Sequence, residues 1–123
     1  MLLDSNIIIY ASKPGGEFLH SLVGEPDACV SVISYVETLG YHRLTEPEKQ
    51  FLTEFLANVD LVPVSDAVIQ HATRLRQSRR MKLGDALIAG TALASGTTLV
   101  TRNVNDFDWI AGLTVLNPFP DAK

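Results

Sequence analysis

The alternation of apolar and polar positions divides the chain into short apolar runs and longer segments with helical spacing. The apolar runs each end close to a polar residue, which is typical of strands buried on both faces of a sheet. They cover residues 1–3, 28–32, 61–64, 98–101 and 113–116. Five such runs predict one five-stranded sheet.

Between these runs, apolar residues recur three and four positions apart, as on the buried face of a helix. Thr45, with Glu48 three positions later, predicts a capping box that opens one helix. Ser65 is a candidate N-cap for the next helix. Residues 83–94 are apolar on nearly all sides and are followed by Gly96 as a candidate C-cap. We therefore expect this last helix to be central.

Strands that alternate with helices predict parallel β-α-β units with right-handed crossovers and helices on both faces of the sheet. The fold class is therefore α/β, and the 123 residues suit a single domain. Hydrophobic residues make up 46% and charged residues 20%, as expected for a globular chain. The apolar stretches are shorter than the roughly 18 residues of a membrane span, and the N-terminus lacks a basic segment. We expect a cytoplasmic protein.

Four acidic residues occur where predicted strands end or helices begin. Asp4 follows the first apolar run, and Glu37 follows the second on a helix that we expect to begin near Ser34. Asp85 lies in the first turn of the apolar helix, and Asp106 comes a few residues after the fourth run. Ligands of parallel sheets bind beyond the carboxyl ends of the strands. These acids are therefore candidate functional residues.

Each acid taken singly also has a structural interpretation as a turn residue, a helix cap or a partner of a helix dipole. Taken together, four converging carboxylates would repel one another and raise each other's pKa values unless a cation compensates. Oxygen ligands suit hard divalent cations, and the three histidines show no ligand spacing. The pattern favours a Mg²⁺ or Mn²⁺ site.

Four segments resemble the four acidic motifs of PIN-domain ribonucleases. They are MLLDSNII at 1–8, SYVE at 34–37, LGDALIA at 83–89 and TRNVNDF at 101–107. In length and motif spacing the chain is most similar to the VapC-type toxins of bacterial toxin-antitoxin pairs. The resemblance implies a Rossmann-like, three-layer PIN domain over residues 1–123 and RNA cleavage that depends on Mg²⁺ or Mn²⁺. It also implies a homodimer, and a cognate antitoxin with which higher-order assemblies can form.

The resemblance also implies roles for individual residues. The catalytic, metal-binding acids would be Asp4, Glu37, Asp85 and Asp106. The residues that orient them would be Ser5, Asn6, Thr101 and Asn103. Asp108 is an alternative candidate for the acid of the fourth motif, but Asp106 is preferred because it precedes Phe107, as the acid of the family motif precedes its phenylalanine.

The residue types also bear on the mechanism. A pair of histidines that could activate a 2′-hydroxyl and protonate the leaving oxygen is not evident, so attack by a metal-activated water is the available route. We expect products with a 5′-phosphate and a 3′-hydroxyl. The number of metal ions, one or two, stays open.

The formal charge of −4 argues against a generally sticky nucleic-acid binder. However, five of the ten basic residues fall within the nine positions 74–82, just before Asp85. This basic strip is either a solvated helix end whose cations complement the dipole, or a track for RNA phosphates. The candidate RNA contacts are Arg79, Arg80, Lys82 and Arg102.

Two other functions fit parts of the pattern. A catalytically silent PIN scaffold would bind RNA or protein without cutting it, although the presence of all four acids speaks against this. A receiver-like phosphoacceptor domain needs adjacent acids after the first strand, where this chain has Ser5 and Asn6.

The apolar stripe at residues 51–59 is expected to lie mostly in the core. The remaining apolar residues of this stripe could serve a dimer or antitoxin contact.

Overall fold

All five predicted apolar runs contribute strands to one parallel sheet in the computed structural model, which describes residues 1–120. The last three residues of the predicted domain lie outside the described range. The strands are β1 (Leu2–Leu3), β2 (Cys29–Ser31), β3 (Asp60–Val62), β4 (Leu99–Val100) and β5 (Val115–Leu116). They are shorter than the apolar runs because only these residues complete the ladder of backbone hydrogen bonds.

Within residues 1–120, six α-helices connect and cover the strands. They are α1 (Ser5–Ala11), α2 (His20–Val23), α3 (Val32–Leu39), α4 (Glu46–Asn58), α5 (Asp66–Ser78) and α6 (Leu83–Ser95). Two short 3-10 helices lie at Glu17–Leu19 and Val104–Asp106. No helix in the described part of the chain is long and apolar enough to cross a membrane.

The strand order is β3-β2-β1-β4-β5, with every neighbouring pair parallel. The central strand β1 pairs through Leu2 with Cys29 on one side and Leu99 on the other. From β1 the chain continues to β2 and β3 on one side of the central strand, and it then crosses to β4 and β5 on the other side. The direction in which strands are added therefore reverses between β1 and β4. Such a switch point is where α/β sheets leave a crevice for a ligand.

Two apolar clusters cover the two faces of the sheet. On one face, α1, α2 and α4 bury residues such as Ile7 and Leu52, which are fully excluded from solvent. On the other face, α5 and α6 bury Ile88 and Ala92 together with Phe107. The predicted three-layer α/β architecture is therefore confirmed.

Helix α6 begins and ends as the sequence predicts. Gly96 closes it with φ of +63°, a left-handed conformation that favours glycine. Gly90 in its middle permits close packing, because a Cβ there would lie 2.8 Å from the Val68 carbonyl oxygen and 3.1 Å from the Ala72 nitrogen. The backbones of α5 and α6 approach each other at this glycine.

The predicted helix start near Ser34 is wrong. Helix α3 begins at Val32, and the Ser31 hydroxyl caps it by accepting a hydrogen bond from the Ile33 nitrogen at 3.0 Å. The strand therefore passes into the helix without a loop, and the last residue of the apolar run belongs to the helix. Ser34 is buried inside this helix instead of capping it.

Candidate active site at the carboxyl ends of the strands

Asp4 occupies the end of the central strand, at the switch point of the sheet. It is the N-cap of α1, with its Oδ1 accepting a hydrogen bond from the Ser5 nitrogen at 2.8 Å. Its Oδ2 accepts from the Thr101 hydroxyl at 2.8 Å and from the Asn6 amide at 3.4 Å. The carboxylate is thus fixed by neutral donors from α1 and from the end of β4.

Asn6, Thr101 and Asn103 join the ends of β1 and β4. The side-chain Oδ1 of Asn6 accepts from the Arg102 backbone nitrogen at 3.3 Å, and its Nδ2 donates to the Thr101 hydroxyl at 3.4 Å. Thr101 is fully buried, and its hydroxyl also accepts from the Asn103 nitrogen at 3.1 Å. The structure therefore brings three of the four predicted orienting residues to Asp4, with Asn103 acting through its backbone.

The fourth, Ser5, contacts Glu37. Its hydroxyl lies 2.6 Å from Oε1 of Glu37 and 2.9 Å from the hydroxyl of Ser34. Because a serine hydroxyl has one proton, and the carboxylate accepts it, the proton of the second contact comes from Ser34. The other carboxylate oxygen of Glu37 lies against the first turn of α6, where a Cβ on Gly84 would be only 2.7 Å from it.

The charges of the four acids act on one another in neighbouring pairs, with Asp85 coupled to the other three. Burial raises the pKa of Asp4, and the charges of Asp85 and Glu37 raise it further despite the hydrogen bonds that oppose the shift. Burial likewise raises the pKa of Asp85, with a further increase from Asp106 and Glu37 and an opposing effect of Lys82. Asp108 contributes to neither shift, which favours Asp106 as the fourth acid.

The donor set fits a hard divalent cation, since it consists of carboxylates whose mutual repulsion a cation would relieve. The side chains do not yet form a coordination sphere, because within residues 1–120 no group of three or more His, Cys, Asp or Glu is arranged to hold an ion. Nor does a hydrogen bond join any of the three histidines to these acids there; His20, for example, contacts the carbonyl of Ala11.

The basic strip divides into residues with different contacts. Arg74 and Arg76 belong to α5, and the Arg76 Nε donates to the carbonyl of Met81 at 3.3 Å, which holds the link to α6. Arg80 and the α6 N-cap Lys82 are exposed to solvent.

The other two candidate RNA contacts each stack on aromatic rings. The guanidinium of Arg79 lies 4.6 Å from the centre of the Trp109 ring. That of Arg102 lies 4.3 Å from the centre of the Phe119 ring and 5.0 Å from that of Tyr10. The candidate RNA-binding residues are therefore exposed, but two of them are held in place by stacking.

Three residues of the site were not singled out from the sequence. Ser34 and Gly84 position Glu37, and the indole of Trp109 donates to the carbonyl of Asp106 at 3.0 Å. Gly84 and Ser34 lie within the segments that resemble family motifs, so their proximity in sequence to Asp85 and Glu37 could have identified them as site residues. Nothing in the sequence pattern pointed to Trp109.

Comparison with known proteins agrees with this geometry. The family model described as "PIN domain" matches residues 1–113. A tRNA(fMet)-specific endonuclease VapC from Shigella flexneri is 26% identical over 122 residues, covering 91% of this chain and 92% of the relative.

Two solved structures are similar over almost their whole length. A toxin-antitoxin complex from Klebsiella pneumoniae has a chain with a TM-score of 0.73 and 28% identity, with 96% of this chain and 97% of that chain covered. The VapBC2 complex from Rickettsia felis, bound to a DNA fragment, gives a TM-score of 0.76 and 25% identity, covering 94% and 96%. The chain therefore belongs to the PIN domain family, and within it the chain is similar to VapC-type proteins.

Proposed function

We propose that this protein is a metal-dependent endoribonuclease and the toxin of a type II toxin-antitoxin pair. The observation that carries the proposal is the convergence of Asp4, Glu37, Asp85 and Asp106 beside the switch point of the sheet, where burial and mutual charge raise two of their pKa values. Neighbouring carboxylates with perturbed pKa values are typical of functional sites, since their mutual repulsion disfavours such an arrangement unless it serves a function. The similarity to the Shigella endonuclease supports the same reaction.

In this proposal the four acids hold Mg²⁺ or Mn²⁺. When bound, such a cation lowers the pKa of the attacking water and stabilises negative charge on the phosphate. Thr101 and Asn6 keep the Asp4 carboxylate pointed at the crevice, and Ser5 does the same for Glu37. Because these donors are already in place, the carboxylates lose little further freedom when the cation binds.

The proposed substrate is RNA, whose phosphates the basic residues attract. Arg79, Arg80, Lys82 and Arg102 are exposed. The two ion pairs among residues 1–120 involve the N-terminal amine with Asp27 and Lys13 with Glu48, so these four cations are free for phosphate. The acids repel a polyanion, whereas the flanking cations attract it, and together they would place the strand over the metal.

The proposed protein partners are a second copy of the chain and a cognate antitoxin, with larger assemblies when both bind. A cavity of about 550 Å³ between α2 and α4 supports a partner site, because Phe51 and Phe55 line it. On the same stripe of α4, Leu52 and Leu56 point into the core. The similarity to chains of two toxin-antitoxin complexes supports the proposed antitoxin partner.

RNA cleavage with and without metal tests the proposal. Purified protein is incubated with RNA in Mg²⁺, in Mn²⁺ and in EDTA, and the product ends are identified. We expect cleavage only with metal, with 5′-phosphate and 3′-hydroxyl ends. Asp4→Asn should lower the rate by roughly a thousandfold, since metal and transition-state charge stabilisation are lost together.

Two neighbouring acids provide a matched control. Asp106→Asn should lower the rate by about a hundredfold, because it removes a negative charge next to Asp85, while Asp108→Asn should leave it unchanged. Cleavage that persists in EDTA, or in Asp4→Asn, would overturn the proposed reaction. Metal-independent RNA binding without cleavage would indicate the silent scaffold.

A further inference from the structure

Trp109, the single tryptophan of the chain, lies between the basic strip and the fourth acid. Its indole Nε1 donates a hydrogen bond to the carbonyl oxygen of Asp106 at 3.0 Å. The guanidinium of Arg79 lies over its ring, 4.6 Å from the ring centre. One side chain thus contacts both a candidate RNA-binding residue and the turn that carries a candidate metal ligand.

These contacts join the end of α5 to the segment that follows β4, two parts of the fold that also share one apolar cluster. Arg79 is the residue at which α5 ends, with extended backbone angles of −167° and 166°. Asp106 ends the short 3-10 helix that follows β4. The neighbouring Phe107 and Ile110 are 1% and 5% exposed and supply the anchorage of this segment in the core. Trp109 is only half-buried and packs at the margin of this cluster, so part of its ring is open to contacts at the surface.

Stacking on an indole positions an arginine without neutralising it. A guanidinium that lies flat on a ring keeps its in-plane N–H donors free for a phosphate, which an ion pair with a carboxylate would occupy. No ion pair involving Arg79 exists among residues 1–120. Its charge is therefore available, while the ring restricts where the guanidinium can be.

The indole also restricts the turn at Asp106. Backbone hydrogen bonds already close this turn: the Asp106 nitrogen donates to the Asn103 carbonyl, and the Phe107 and Asp108 nitrogens both donate to the Val104 carbonyl. The carbonyl of Asp106 itself accepts from the indole. The indole therefore adds a side-chain hydrogen bond to the backbone bonds of this turn, and it does so at the exposed residue that carries the fourth carboxylate.

We propose that Trp109 is a positioning residue that sets the register between the RNA strand and the acidic site. Arg79 and the backbone carbonyl of Asp106 contact the same indole, so a phosphate bound by Arg79 is kept close to the turn that carries the Asp106 carboxylate. This inference rests on the proposed ribonuclease function and adds to it a residue that contacts neither the metal nor the scissile phosphate.

Two substitutions separate the contacts of the indole. Trp109→Phe keeps an aromatic ring under Arg79 but removes the N–H that holds the Asp106 carbonyl. We expect it to bind RNA with nearly wild-type affinity and to cleave about three- to tenfold more slowly at saturation, the effect of one lost hydrogen bond. Trp109→Leu removes both contacts and should weaken RNA binding as well as lower kcat.

Binding is measured without cleavage, by anisotropy of a labelled RNA in EDTA, and kcat and KM are measured in Mg²⁺. Arg79→Ala should raise KM and should reduce the salt dependence of RNA binding by about one phosphate contact. The same substitution made in Trp109→Leu should change KM and RNA binding less than it does in the wild type. The fluorescence of Trp109 supplies a third readout, since RNA that engages Arg79 should change the emission of the wild type and not that of Arg79→Ala.

The outcomes distinguish this inference from the proposed function. A wild-type protein that neither binds nor cleaves RNA contradicts the proposed function itself. If the wild type cleaves RNA, wild-type kcat and KM in both Trp109 variants overturn the positioning role. Additive effects of Arg79→Ala and Trp109→Leu would overturn it too. If Trp109→Leu loses activity and also melts at a lower temperature, while Trp109→Phe behaves as the wild type, the role of the ring is packing and the positioning role is overturned.

Discussion

Glu48 and Asp4 are both about 7% exposed, yet their surroundings shift their pKa values in opposite directions. The ammonium of Lys13, 2.8 Å away, and the Thr45 nitrogen at 3.1 Å hold the pKa of Glu48 below its usual value. Asp4 has only neutral donors, and the nearby acids add to the effect of burial, so its pKa is raised. Glu48 is compensated by the fold itself, whereas Asp4 is left with charge that a bound cation would compensate.

The difference predicts which carboxylates stabilise the fold and which serve the reaction. Around Glu48, a capping box joins the N-cap Thr45 to the start of α4, and removal of a partner should cost stability. Around Asp4 and Asp85, removal of a charge should abolish the reaction without a loss of stability. The substitutions below test this contrast between the acidic site and the capping box.

The largest effect is expected for Asp85→Asn in the acidic site. It should lower RNA cleavage by roughly a thousandfold, while the metal-free protein melts at a temperature equal to or above that of the wild type at neutral pH. The reason is that the pKa of Asp85 is raised, so its ionisation disfavours the folded state.

The difference in stability between Asp85→Asn and the wild type should depend on pH. Between the ordinary value of 3.8 and the raised pKa, the folded wild type binds more protons than the unfolded chain, so its stability falls as the pH rises through this window. The advantage of Asp85→Asn should therefore be complete above the window and disappear below it. Thermal unfolding in EDTA across this range measures it, and a large loss of stability at neutral pH would contradict the contrast.

A smaller effect is expected for Gly84→Ala. The added methyl meets the Glu37 carboxylate, which is the mobile end of a side chain and can move away. Cleavage should fall by about tenfold through this displaced ligand, while the free energy of unfolding stays the same or rises by up to about 1 kcal/mol, because alanine favours helices over glycine.

Glu37→Asp provides the matched test, since its shorter side chain leaves room for the methyl. Combined with Gly84→Ala, it should lose less activity than the product of the two single effects. A destabilised Gly84→Ala, or one that cleaves RNA at the wild-type rate, would show that this glycine does not govern the position of Glu37.

The smallest effect is expected at the capping box. Thr45→Ala should destabilise the protein by about 1 kcal/mol and leave kcat and KM unchanged. Glu48→Gln should also lower stability at neutral pH. Because the pKa of Glu48 is lowered, its contribution is complete above the ordinary value of 4.5 and is lost as the pH falls through the lower folded value. Melting curves that differ most in acid would contradict this assignment.

The sequence by itself determined the features that depend on neighbours within a few positions. The capping box of Thr45 and Glu48, the Ser65 cap and the Gly96 C-cap all follow from contacts inside one turn of chain. The apolar runs fixed the α/β class and put Asp4 at the end of a strand. The one wrong helix start, near Ser34, arose because an apolar run continues from strand to helix without a break in hydropathy.

Tertiary structure alone decided which side chains meet at the site. Thr101 and Asp4 are 97 positions apart, and Ser5 and Ser34 are 29 apart, so no local pattern records these hydrogen bonds. The coupling of Asp106 and not Asp108 to Asp85 likewise depends on how the segment after β4 turns back. Caps and periodicity report local energies, whereas these contacts exist only because parallel strands bring distant residues to one edge of a sheet.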